Sequence, residues 1–291
     1  MSNRIEPCNY ITQPSLAYLR YANDFGLLCL QLCGLDEFIF IPNPGNAGDA
    51  LIAVATYAMF KELELNYRIG DSAATYSNQT LVYSGGGNLL GSAYTEARYF
   101  INRNYRNNRI IILPHTVKDI PELEEWLSYG ALLLYCREQH SYNLIAERYR
   151  ERCVFLCADM AFSLADYSYA KFNSIIDNDA KIVILREDSE RTMEVIAKDN
   201  LDISATWVGS LWHNQALAAA VVDSLAAYLG PYAKIRTNRL HLAILGGLMG
   251  KSVELLPNSY YKNWAIYQYS MARRWPHLSF YREPVAGESY S

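Results

Sequence analysis

At 291 residues the chain is long enough for two domains with substantial cores. A hydrophobic content of 51% against 19% charged residues describes a globular protein and excludes a disordered one. The net charge of −4 argues against nucleic acid as the main partner, so any basic site must be local.

The first residues lack a basic stretch leading into an apolar run and a small-residue cleavage site, so no signal peptide is expected. Phe25–Leu35 is apolar but broken by Gly and Gln, and too short to span a bilayer. The six cysteines form no C-x-x-C pair and have no histidine clustered beside them, so no metal is expected. Reduced, buried thiols in a cytoplasmic protein fit this usage.

In chain order, residues 1–35 read as a mostly helical lead-in. Phe38–Ile41 is a short apolar run closed by Pro42, as expected of a buried first strand. A Pro/Gly/Asn loop follows, then a helical pattern through Leu51, Ile52, Ala55, Met59 and Leu63. Asp49 falls at or near the N-cap of that helix. Two readings of it stand: a plain helix cap, or, with Asn46 and Gly48, a polar wall that binds hydroxyls. Leu81–Tyr83 is the next strand and runs into Ser84-Gly85-Gly86-Gly87-Asn88. Three consecutive glycines allow close backbone approach to a ligand, though the run is neither a dinucleotide fingerprint nor a P-loop. Ile110–Leu113 is a strand ended by Pro114-His115-Thr116, which places His115 at a strand's carboxyl end, where a lone histidine is more often structural than functional. Ala131–Tyr135 and Val154–Cys157 are further strands, separated by helices over about Pro121–Ser128 and Glu138–Arg150. This alternation implies a parallel sheet.

Ala165–Asp179 lacks a clear period, and the domain junction is expected there. The pattern then restarts. Lys181–Leu185 is a strand, and Arg186-Glu187-Asp188-Ser189 opens a helix to about Ala197. Ile203–Val208 reads as a strand and Asn214–Leu229 as an amphipathic helix. Ala233–Arg236 ends a buried strand, and Thr237-Asn238 can cap the helix that Arg239, Leu240 and His241 open. Gly250 stops that helix, and Ser252–Leu256 is a strand. A last helix covers Asn263–Arg274, and Tyr281–Ser291 reads as a flexible tail.

Arg and His at a strand's carboxyl end, beside a helix N-terminus, suit an anionic ligand. Arg239 offers a permanently charged fork, and His241 can move a proton near neutral pH. Residues i and i+2 diverge on a formed helix, so both can face one ligand only if Arg239 remains in the loop. A salt-bridged arginine and a capping histidine are the alternative.

The segments GNAGDALI, YSGGGNL, LPHTV, CREQHSY, ADMAF, VILREDSE, TNRLH and PNSYYKN occur in this order from about Ile41 to Asn263. As an ordered set they resemble the polysaccharide pyruvyl transferase family. The chain departs from it at Asn238, where the family often carries an acid, and at Leu242, where it often carries Gly. The glycine run is also one residue short. The resemblance implies an α/β fold of two Rossmann-like domains facing across a cleft, as in GT-B glycosyltransferases. Residues 1–165 would form the acceptor-side domain, 166–262 the donor side, and 263–291 a terminal helix and tail. It implies a transferase that builds a pyruvate ketal on a sugar of a polysaccharide or its lipid-linked precursor. Phosphoenolpyruvate would be the donor and co-substrate, with phosphate released and no other cofactor. Arg186, Arg239, Leu240, Asn258 and Lys262 would hold the donor; Asn46, Gly48, Gly86, Gly87 and Asn88 would line the acceptor side. His241 would be the general acid, with Asp49 or His115 as the base. The setting implied is cytoplasmic, at the inner face of the membrane if the acceptor is lipid-linked. Two other classes stay open: a nucleotide-sugar glycosyltransferase, and a non-catalytic carbohydrate-binding protein. The first would want an acid near Pro257–Asn263, where there is none.

Overall fold

The computed structural model describes residues 25–91, 94–149, 153–174, 177–192, 198 and 200–281. Its internal contacts divide the chain into two α/β units. Of the described residues, the first takes those up to Asn43 together with those in Ile52–Leu164; the second takes Pro44–Leu51 and those from Ala165 onward. The described part of the terminal segment expected to stand apart from 263 therefore belongs to the second unit.

The first unit is a parallel sheet with helices between its strands. The strands are β1 (Phe38–Ile41), β2 (Tyr67–Ile69), β3 (Thr80–Tyr83), β4 (Gly86–Leu90), β5 (Arg109–Lys118), β6 (Leu132–Cys136) and β7 (Val154–Leu156). Their order is β2-β1-β3-β5-β6-β7, with β4 also paired to β5. The helices are α1 (Phe25–Cys33), α2 (Ala47–Glu62, whose start up to Leu51 counts with the second unit), α3 (Glu96–Asn104), α4 (Leu123–Ser128) and α5 (Gln139–Tyr149). All four residues of β1 are buried, the mark of a strand covered on both faces. Phe40 meets Phe60 of α2 edge to face, with centroids 5.0 Å apart at 83°. That contact seats α2 on the sheet. The strand order reverses between β1 and β3, which places the switch point at their carboxyl ends.

Three departures from expectation matter for the site. First, β5 continues through Pro114, His115 and Thr116 to Lys118, so His115 lies inside a strand rather than beyond its end. The pairing with β6 shifts register between Ile112 and His115, and Pro114, which has no N–H to give the ladder, sits in that irregularity. Second, the glycine segment is strand β4, with Gly86 opposite His115. Third, β2 and α3 carry too few consecutive apolar residues to stand out in the sequence; β2 has no fully buried residue at all.

The second unit has a four-stranded parallel sheet, ordered β11-β10-β9-β8. Here β8 is Lys181–Ile184, β9 Lys234–Thr237, β10 Ser252–Leu255 and β11 Leu278–Phe280. Its helices are α6 (Gln215–Leu229), α7 (Leu240–Leu248) and α8 (Lys262–Ile266), the last continuing as a π turn over Tyr267–Met271. Asn214 caps α6 by accepting from the Leu217 N–H at 3.0 Å. The expected strand at Ile203–Val208 is instead a 3-10 turn over Ile203–Thr206. The Thr206 hydroxyl donates to the Ile203 carbonyl at 2.7 Å, a local bond that competes with a sheet ladder. The helix expected from Arg186 is a turn at 188–190; its remainder, 193–197, lies outside the described residues, as do the expected lead-in before Phe25 and tail after Tyr281. Among the described residues, no helix is long and apolar enough to cross a membrane.

Candidate active site

The site grows from three consecutive strand ends in the second unit. After β9, the Thr237 hydroxyl accepts the Arg239 N–H at 3.0 Å. Arg239 itself has extended backbone (φ −83°, ψ 106°) at the N-cap, and α7 begins at Leu240. Arg239 thus remains in the loop, the condition that lets it and His241 serve one ligand. Asn238 does not cap the helix. Its Oδ1 accepts the Arg186 N–H at 2.7 Å and so ties the end of β8 to the end of β9. A neutral amide suffices for that bond. Asn263 Nδ2 then donates to the carbonyls of Asn238 and Leu256, each at 2.9 Å, tying in the turn after β10.

On this stitched edge lies a chain of alternating charges. Lys262 pairs with Glu190. Glu190 accepts from Arg186 Nη1 at 2.7 Å and from Asn258 Nδ2 at 3.1 Å. Arg186 grips Asp188 with Nε at 2.8 Å and Nη2 at 3.0 Å. Asp188 also meets Arg239 Nη1 at 2.8 Å. Arg239 in turn holds Asp202 through Nε at 2.8 Å and through Nη2. Three cations thus face three carboxylates. Arg186, Arg239, Lys262, Glu190 and Asp202 are all buried. The Asp188 side chain is 34% exposed. Burial works to raise the Asp188 carboxyl, but the hydrogen bond and charge of Arg186 and the charge of Arg239 outweigh it and hold it at about 2. Burial likewise opposes ionisation of Glu190, and the charges of Lys262 and Arg186 bring it to about 2. Both arginines are matched by carboxylates within the unit, the salt-bridged arrangement that stood as the alternative for Arg239. The acids of REDSE, two and four residues beyond Arg186, were the available signal.

The loop Asn46–Asp49, expected on the acceptor-side domain, belongs by its contacts to this second unit. Asn46 Oδ1 accepts the Gly48 N–H at 2.7 Å, and Asp49 Oδ2 accepts the Asn46 N–H at 2.9 Å. This is a reciprocal capping box that starts α2. Asp49 therefore does the helix-capping work of its first reading. Gly48 has a specific reason to be glycine. A Cβ there would lie 2.7 Å from His241 Nδ1 and 3.1 Å from its Cβ. The half-buried His241 ring is thus seated against the first turn of α2.

In the first unit, His115 is fully buried. Its Nδ1 lies 3.0 Å from the Leu113 carbonyl and its Nε2 lies 2.9 Å from Asn88 Oδ1. Burial, aided by the charge of Arg137 and opposed by the Leu113 carbonyl, pushes its pKa down to about 3. A neutral ring with both nitrogens engaged is a structural group, and the expectation that His115 serves as a base is corrected on that ground. Asn88 also donates to Asn43, which accepts from the Tyr83 hydroxyl at 3.0 Å. Asn88 is thus an internal strut rather than a free acceptor contact. Gly86 is buried in β4, and a Cβ on Gly87 would lie 2.8 Å from Arg137 Nη2. The glycine run makes room for Arg137, which pairs with Asp159 at 2.7 Å and donates to Thr116 at 2.8 Å. Arg137 was missed, although CREQHSY sets it at the end of β6. Among the described residues no group of His, Cys, Asp or Glu is arranged to hold a metal ion.

Comparison with known proteins gives three findings. The profile of the family described as polysaccharide pyruvyl transferase matches residues 46–260. A protein of Bacillus subtilis (strain 168), named "Putative pyruvyl transferase EpsO", is 25% identical over 276 residues, covering 78% of this chain and 83% of its own length. The crystal structure of KP1_0663, a functionally uncharacterised protein of Klebsiella pneumoniae subsp. pneumoniae NTUH-K2044, superposes with a TM-score of 0.77 at 32% identity. It covers 94% of this chain and 100% of its own.

Proposed function

The chain belongs to the polysaccharide pyruvyl transferase family, and from that premise we propose that it transfers pyruvate from phosphoenolpyruvate to a sugar diol as a cyclic ketal, releasing phosphate. One observation carries this reading. Two buried guanidinium groups from consecutive strand ends converge on one partly exposed carboxylate, Asp188, with His241 two residues beyond Arg239. Such a pair is suited to carboxylate and phosphate oxygens, the two anionic groups that phosphoenolpyruvate presents close together.

The chemistry assigns roles in order. His241 gives a proton to the donor's methylene carbon, which becomes a methyl group. The adjacent carbon gains cationic character, and one sugar hydroxyl adds to it. A second hydroxyl displaces phosphate and closes the ketal. Two hydroxyl protons are given up: one balances the proton now on the methyl group, and the other leaves with phosphate. Arg186 and Arg239 stabilise the charge on the departing phosphate. Of the two bases expected, Asp49 remains, since it lies in the same turn of α2 that seats His241.

The test is phosphate release from phosphoenolpyruvate in the presence of free and undecaprenyl-linked galactosides, mannosides and glucosides. His241→Gln should keep the fold and donor affinity and lose turnover by about a hundredfold, the usual scale for a general acid. Wild-type turnover in that variant would remove His241 from the mechanism. Thermal stabilisation by a nucleotide sugar and not by phosphoenolpyruvate would overturn the donor assignment.

A further inference from the structure

Of the three carboxylates in the alternating chain, Asp188 differs from the others in two ways. Glu190 and Asp202 are buried and each meets one guanidinium. Asp188 meets both Arg186 and Arg239, and its side chain is 34% exposed. Like Glu190 and Asp202 it lies outside helix and strand, and its Oδ1 accepts the Glu190 N–H at 3.0 Å. It is thus the most exposed member of the network and the one that both guanidinium groups share.

We infer that Asp188 is a built-in competitor for the anion site, occupying the space between the two guanidinium groups until a ligand of higher charge displaces it. This deepens the reading of phosphoenolpyruvate as donor, and rests on it for the identity of the natural ligand. The physical argument concerns selectivity. A free carboxylate such as pyruvate would exchange one carboxylate for another. It would lose its translational freedom while competing with a group tethered at high effective concentration. It gains nothing. A phosphate dianion brings more charge and more acceptor oxygens to the same two forks, and so displaces Asp188 with a net gain. The same exchange works in reverse after chemistry. Once the C–O bond to phosphate has broken, the ketal with its carboxylate and the free phosphate are separate ligands, and the returning Asp188 helps to expel the phosphate. Asp188 is a specificity-determining and product-releasing residue on this account, with no proton to carry.

Asp188→Asn tests this, because an amide keeps the Oδ1 acceptor for the Glu190 N–H and removes the competing charge. Binding of inorganic phosphate, phosphoenolpyruvate and pyruvate is measured by calorimetry on the wild type and the variant. The variant should bind phosphate and phosphoenolpyruvate about tenfold tighter or more, the scale of a hydrogen bond to a charged group. It should bind pyruvate measurably where the wild type does not, and product phosphate should inhibit it more strongly. Phosphate binding that is unchanged or weaker in a folded variant overturns the inference. Should Asp188→Asn not fold, the wild type supplies a second measurement: the carboxyl carbon resonance of Asp188 should shift when phosphate saturates the site, and a resonance that stays put overturns it. The phosphate arm is independent of the donor. Tighter phosphate binding in a protein that makes no use of phosphoenolpyruvate would leave Asp188 standing and sink the proposed function. Turnover of phosphoenolpyruvate with no effect of Asp188→Asn would do the reverse.

Discussion

Gly48→Ala separates the seating of His241 from the stability of the fold. Gly48 is the second residue of α2, where the interior preference for Ala over Gly, about 1 kcal/mol, is an upper bound. The added methyl, however, would lie 2.7 Å from His241 Nδ1 and 2.9 Å from Asn46 Oδ1. Ordinary contact begins near 3.4 Å, so the imidazole must retreat by about 0.7 Å. Crowding of Asn46 Oδ1 weakens the cap it makes with the Gly48 N–H, at a cost of up to about 1 kcal/mol. The gain in propensity and the loss of the cap offset each other, so stability should change by less than about 1 kcal/mol. Turnover should fall much further, since a displacement approaching 1 Å can cost about a hundredfold. The assay is paired: urea denaturation for stability, and phosphate release at saturating and limiting phosphoenolpyruvate for kcat and KM. Loss in kcat at nearly constant KM is expected, because the arginines that hold the donor are untouched. A variant with wild-type kcat would refute the reasoning, and so would one whose lost activity tracks a large loss of stability.

Two further predictions follow from the charges. Glu190→Gln leaves Arg186 and Lys262 buried without their shared carboxylate. It should cost about 3–5 kcal/mol, the range for breaking a buried pair on one side; urea denaturation showing a loss below about 1 kcal/mol would contradict the network as described. His115 has an ordinary value of 6.5 and stands at about 3 in the fold, so the unfolded chain takes up a proton between these values that the native chain does not. Stability should therefore fall as pH drops below about 6.5, at up to about 1.4 kcal/mol per pH unit. Asp188 and Glu190 lose their contribution only below about 4.5, so the window from pH 6.5 to 4.5 isolates the histidine. His115→Gln should flatten the stability profile in that window, and equal slopes for the two proteins would show that His115 is not the titrating group.

The sequence by itself determined the alternation of strand and helix, the restart of the pattern near Ala165, the placement of Arg186 and Arg239 just past strand ends, and that of His241 at a helix start. Those features are local. Apolar period, Pro and Gly punctuation and capping side chains act over a few residues, and a reader of the chain sees all of them. The ordered motifs added the family. The tertiary structure decided what each group meets, and that changed its meaning. Asp202 reaches Arg239 across 37 positions, so no spacing rule could announce that the cation is already matched. Asn88 reaches His115 across 27 positions and makes a candidate base into a strut. Gly48 lies against His241 although almost two hundred residues separate them, and this joins a loop read as acceptor-side to the unit that carries the arginines. Whether a side chain is a cation awaiting an anion or half of an ion pair depends on distances of a few ångströms and on burial, because Coulomb energy and desolvation vary steeply with both. Those are properties of the packed chain, and residue order carries no record of them until the sheets have formed.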